Sequence, residues 1–107
     1  MNTYEAKNYL KQYRLCMARV FRLRGELEKY SASAESISAE IARLLKKAEE
    51  IEALIEKEEN MLYREVLMRK YVYGETFEEI GERLCYSSRH IQRLLNRAVE
   101  RVATLHA

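Results

Sequence analysis

Apolar residues recur along residues 3–30 in alternating steps of four and three: Ala6, Leu10, Tyr13, Met17, Val20 and Leu27, with Arg24 interrupting. Tyr9, Cys16, Leu23 and Tyr30 widen the stripe. A period near 3.6 residues puts such positions on one face, so the segment predicts an amphipathic helix with a broad apolar side. The serine-rich stretch "SASAES" at 31–36 interrupts the pattern and reads as a turn, with Ser36 and Ser38 as candidate caps of the next helix. From Ile37 the stripe resumes through Ile41, Leu44, Ala48, Ile51 and Ile55, meets Glu58 where an apolar residue is due, and returns at Leu62. About three heptads of this kind reach the lower limit for a coiled coil. A further amphipathic run, "NMLYREVLMRKYVY" at 60–73, carries Leu62, Val66, Leu67, Met68 and Tyr71. Its period leaves open whether it continues the second helix or stands apart. Gly74 closes it, where a glycine just past a helix end belongs.

Beyond Gly74 the signals are local. Thr76 followed by Glu79 is a capping box, so a helix starts near Phe77. Phe77, Ile80 and Leu84 cover only two turns of it. Cys85, Tyr86 and Ser87 make a corner, and Ser87 is a good N-cap for a second helix from Ser88 to about Val102. Ile80, Leu84, Tyr86, Ile91 and Leu94 converge on one core once that corner is made, and Gly81 permits close approach where the helices cross. This is the pattern of a helix-turn-helix. The expected fold is all-α: a helical hairpin or coiled coil over residues 1–59 that oligomerises, then a helix-turn-helix domain over residues 60–107.

Composition agrees. The 107 residues contain no proline and three glycines, and 34% are charged, which suits long helices. The net charge of +2 conceals an uneven spread. Residues 1–30 carry net +4, residues 31–60 net −4, and residues 83–101 hold five Arg against one Glu. A basic helix beside an acidic one favours an antiparallel pair, although exposed ion pairs are each worth only tenths of a kcal/mol.

The chemistry on offer is narrow. Cys16 and Cys85 lack the short ligand spacings of a zinc site and read as reduced cysteines packed as small hydrophobes. No Ser-His-Asp set, glycine-rich phosphate loop or HExxH motif is present, so neither catalysis, a cofactor nor a metal is expected. No apolar run approaches the ~18 residues of a membrane span, and the N-terminus has no apolar signal core. The expectation is a soluble intracellular protein.

What remains is the second helix of the C-terminal pair. Ile91, Leu94, Ala98 and Val102 take its apolar side, and Ser88, Arg89, Gln92, Arg93 and Asn96 project outward, with His90 at the edge. Arg suits a bidentate contact with guanine, and Gln or Asn one with adenine. The second helix of such a unit enters the major groove by its N-terminal end. Ser88, Arg89, Gln92, Arg93 and Asn96 are therefore the candidate base contacts, and His90, Arg97 and Arg101 the candidate phosphate contacts. No glutamate interleaves the arginines until Glu100.

The segment "RKYVYGETFEEIGERLCYSSRHIQRLLNRAVERV" resembles region four of bacterial sigma factors, in register at Thr76, Glu78, Glu79, Gly81, Ile91 and Ala98. The resemblance implies base readout at Ser88, Arg89, Gln92 and Arg93. Cys85 departs from it, standing where many helix-turn-helix units carry a glycine in left-handed backbone. The wording is similar also to small phage regulators of the ArpU and RinA type, which implies late-gene control by a short helical protein. The expected function is a sequence-specific transcription regulator, phage- or prophage-encoded, that binds double-stranded DNA as a homodimer. Two alternatives stand beside it: a small terminase subunit of a DNA-packaging machine, and a coiled-coil interaction protein acting on bacterial RNA polymerase or another regulator.

Overall fold

A computed structural model describes residues 1–105, which form five α-helices and, among the described residues, no strand. Helix α1 (Thr3–Lys29) opens on a capping box in which Asn2 Oδ1 takes the Glu5 N–H at 2.8 Å and Glu5 returns a bond to the Asn2 N–H. It ends at Tyr30, which is exposed rather than part of the stripe. Ser31–Ser33 is a single 3-10 turn, and helix α2 (Ala34–Glu56) follows without a break. Neither Ser36 nor Ser38 caps α2: Ser33 holds the cap position, and its φ of −106° and ψ of 13° give it no side-chain cap bond. A cap needs extended backbone to aim its oxygen at the first turn.

The two helices run antiparallel. Cys16, Val20 and Leu23 pack against Ile41, Leu44 and Ala48 in the outer half of the hairpin. Among the described residues one ion pair joins them, Arg19 Nε to Glu40 Oε1 at 3.4 Å. Apolar contact, not charge, therefore holds the hairpin.

The chain does not continue as one helix through residue 73. It turns at Lys57–Asn60, where Asn60 Oδ1 accepts the Tyr63 N–H at 3.1 Å and starts helix α3 (Met61–Leu67). The helix then widens into a π turn over Met68–Val72, with the Tyr73 N–H bonding Met68 O at 3.0 Å. Gly74 follows at φ 72°. A side chain there would collide with the Arg14 guanidinium, which crosses from α1 and donates to Val72 O at 3.2 Å.

Helices α4 (Phe77–Leu84) and α5 (Ser88–Leu105) complete the chain. Their core residues Ile80, Ile91, Leu94, Ala98 and Val102 belong to one cluster that also takes in Val66 and Leu67 of α3, Ala6 and Leu10 of α1, and Ile51 and Ile55 of α2. The boundary expected between residues 59 and 60 thus falls in the α2–α3 corner, while the core runs across it.

Candidate nucleic-acid interface

Four local devices shape the unit made by α4 and α5. Thr76 Oγ1 accepts the Glu79 N–H at 3.2 Å, and Glu79 Oε1 accepts the Thr76 N–H at 3.1 Å. That backbone bond is the main reason the Glu79 carboxyl titrates below its ordinary range. At the other end Cys85 adopts φ 63° and ψ 42°, the left-handed conformation that usually calls for glycine. The Tyr86 N–H then reaches Gly81 O at 2.9 Å. Gly81 itself is buried, and a Cβ on it would sit 2.5 Å from the Tyr86 carbonyl oxygen. The glycine is needed by the backbone of the turn more than by the body of α5. Ser87 Oγ accepts the His90 N–H at 3.1 Å and starts α5.

Two expectations about this corner are corrected. Tyr86 is not part of the glue: it is exposed, with its ring tilted against His90 at a centroid distance of 4.7 Å. Cys85 is not packed as a hydrophobe either. It lies exposed on the turn, while Cys16 is buried in the hairpin, and both are free thiols. Left-handed backbone turns the Cys85 side chain away from the core.

Helix α5 buries Ile91, Leu94, Leu95, Ala98, Val99, Val102 and Ala103. Ser88, Arg89, Gln92, Arg93, Asn96 and Arg97 are all exposed, and steps of three and four bring them onto one side. His90 is half-buried at the margin, with Arg93 Nη2 3.4 Å from its Nδ1. Arg93 donates there when the ring carries its proton on Nε2.

Arg101 stands apart from the other rungs. Its Nη2 and Nε fork onto Glu58 Oε1 and Oε2 at 3.0 and 3.2 Å. Glu58 is fully buried, accepts the Asn60 N–H at 3.0 Å, and offers its own carbonyl to Arg64 at 3.0 Å. Burial alone would raise its carboxyl. The bonds from Arg101 and Asn60, with the charges of Arg101 and Arg64, outweigh burial and hold it below the ordinary carboxylate range. The residue that breaks the heptad pattern thus fastens α5 to the α2–α3 corner. Sequence reasoning missed this pairing; its one signal was a carboxylate at a position due to be buried.

Arg83, the first arginine of the basic segment, is also engaged, with Nε 3.1 Å from Glu75 Oε2. Glu75 in turn meets Arg69 Nη1 at 3.2 Å, and this network joins the π turn to α4.

The two flanks of α5 differ. On one side Arg97, Glu100 and Arg101 border a shallow depression with Tyr63. On the other, Gln92 and Asn96 line a cleft of about 550 Å³ together with Lys7 and Lys11 of α1, Lys70 of the π turn, and Phe77. Lys70 Nζ lies 4.4 Å from the centroid of the Phe77 ring, a cation–π distance. The sequence did not single out these lysines, because nothing in it placed α1 beside α5.

Among the described residues no group of three or more His, Cys, Asp or Glu side chains is placed to hold a metal ion. Among them, too, no helix is long and apolar enough to cross a membrane.

Comparison with known proteins places this geometry. No curated protein and no solved structure matches the chain. Residues 62–103 match the family described as sigma-70, region 4, over α3, the π turn, α4 and most of α5. The C-terminal part of this chain is thus similar to sigma-70 region 4, a family of DNA-binding helix-turn-helix domains.

Proposed function

We propose that the protein is a sequence-specific, DNA-binding transcription regulator of the ArpU and RinA type, encoded by a phage or prophage and working in the bacterial cytoplasm. One observation carries the reading. The N-terminal half of α5 presents Ser88, Arg89, Gln92, Arg93 and Asn96 to solvent, with no carboxylate on the helix before Glu100. Donors and amides of this kind match base edges in the major groove, each bidentate pair contributing roughly 1–3 kcal/mol of discrimination. Arg89 and Arg93 read bases, Arg97 and His90 meet phosphates, and Arg101 keeps its Nη1, which Glu58 does not use, for the same purpose.

Homodimerisation belongs to this reading. Most of the apolar stripe of residues 1–59 is packed within the hairpin and the shared core, so it does not itself call for a second copy. The support is now Leu15 and Phe21 of α1, 68% and 81% exposed.

The test is titration of Arg89→Ala, Arg93→Ala and Arg97→Ala against a site recovered by genome-fragment pull-down and against a scrambled duplex. Arg89 and Arg93 variants should lose the ratio of specific to non-specific affinity. The Arg97 variant should weaken both alike and lower the salt slope by about one unit. Equal losses on both duplexes for Arg89 and Arg93 would reduce the face to a general anion binder. Light scattering that finds a monomer at micromolar concentration would remove the dimer.

A further inference from the structure

The cleft beside Gln92 and Asn96 gathers positive charge from two parts of the chain distant in sequence. Lys7 and Lys11 come from α1, outside the residues that match region 4, and Lys70 from the π turn. No carboxylate lines the cleft, whereas Glu100 borders the depression on the opposite flank. Among the described residues none of the three lysines is in an ion pair with a carboxylate.

These lysines are held in place from beneath. Ala6 and Leu10, their neighbours on α1, are fully buried in the core that also holds Leu95 and Val99 of α5. Arg14, one turn further along, ties α1 to the Val72 carbonyl. The Phe77 ring sits under the Lys70 ammonium. Three cations beside the reading face, two of them on a helix anchored in the core, have no carboxylate partner among the described residues, and the anion that runs along a helix seated in the major groove is the phosphate backbone.

We propose that Lys7, Lys11 and Lys70 grip the phosphates of the DNA strand bordering the bases met by Gln92 and Asn96. Helix α1 is then part of the DNA-binding surface as well as half of the hairpin. This inference rests on the DNA reading above. A major groove about 12 Å wide is walled by two phosphate strands. Arg97 faces one of them, and the lysine cleft faces the other. Lysine, a point charge, fixes register on the duplex and carries no sequence information.

The experiment is a fluorescence-anisotropy titration of the full chain with a mixed-sequence duplex over a series of salt concentrations. The variants are Lys7→Gln/Lys11→Gln and, as a charge-matched control near the hairpin tip, Arg22→Gln/Arg24→Gln. All four side chains are exposed, and circular dichroism checks that both variants remain folded. The cleft variant should bind more weakly, with a salt slope smaller by about two units, since each phosphate contact contributes roughly 0.9. Adding Lys70→Gln should take away about one more. The control should keep the parent slope. If the parent binds and the cleft variant keeps its slope, or if the control loses as much, the site is overturned, and the lysines are left for an acidic protein partner. A parent that does not bind the duplex at low salt overturns the DNA reading and this site with it.

Discussion

Ser33 and Ser87 each stand immediately before a helix, yet only one of them caps it. Ser87 Oγ takes the His90 N–H, whereas Ser33 makes no side-chain bond to α2. The contrast extends to the regions around them. The helix-turn-helix is specified point by point: a capping box at Thr76, a left-handed residue at Cys85, a glycine at 81 that no side chain can replace, and a serine cap. The outer hairpin is specified by a stripe, whose members share the work. Damage should therefore be concentrated in the first region and diluted in the second.

The largest effect is expected at Gly81. Gly81→Leu would force its side chain against the Tyr86 carbonyl, where backbone must move. Overpacking of this kind costs about 3 kcal/mol, read by thermal or urea unfolding. Ala48→Leu, at a small buried position of the outer hairpin, should cost less because the helices can part slightly. An equal loss would end the contrast.

Next comes the clasp between the regions. Arg101→Ala leaves Glu58 buried without its main partner, though Asn60 and Arg64 remain. Since Arg101 is itself half-exposed, the loss should fall below the usual range for a fully buried pair. The pair also gives an acid dependence. The folded carboxyl is depressed, so its contribution is full above the ordinary carboxylate value and is lost as pH falls through the folded one. Unfolding followed from neutral pH to about pH 3 should show the parent losing more stability than Glu58→Gln. Parallel curves would mean that the carboxyl is not depressed.

Smaller again is the pair of serines. Ser87→Ala should cost about 1 kcal/mol and Ser33→Ala close to nothing. Matched losses would show that Ser33 caps α2 in solution.

The smallest effect is a gain. Cys85→Gly relieves a left-handed non-glycine residue and loses no packing, since the side chain is exposed. The relief is about 1 kcal/mol, and the extra freedom of glycine in the unfolded chain offsets part of it. A lower melting temperature would show that Cys85 has a contact the turn depends on.

The same contrast explains what was legible in the sequence. The starts of helices α4 and α5 could be placed within a residue because caps and turn residues act on their immediate neighbours; α5, with no such signal at its far end, runs three residues past the expected Val102. The hairpin partners were legible from the stripe and the turn from its serines, but the cap position was not: serine is a common cap, and which of several serines holds that position depends on backbone angles. The break at Lys57–Asn60 was left open because the apolar period carries through it, although Asn60 before an amphipathic run was an available cap signal. The face of α5 could be read from its own period. The fork from Arg101 to Glu58 and the lysine cleft could not, because they join residues far apart in sequence through a packing arrangement that no local signal contains.

The shared core has a mechanical consequence. Helix α1 is 27 residues long, about 40 Å; its base is packed against α5 through Ala6 and Leu10 and tied to the π turn by the Arg14 bond to Val72. The hairpin is therefore a tiller on the helix it supports. A sideways push of 4 Å at the Ser31–Ser33 tip rotates the base by about 6°, which carries one end of the 18-residue α5 by about 3 Å. That is close to the spacing of adjacent nucleotides, about 3.4 Å. If α5 is seated on DNA as proposed above, a rigid displacement of that size at the hairpin tip would shift it by about one step of register.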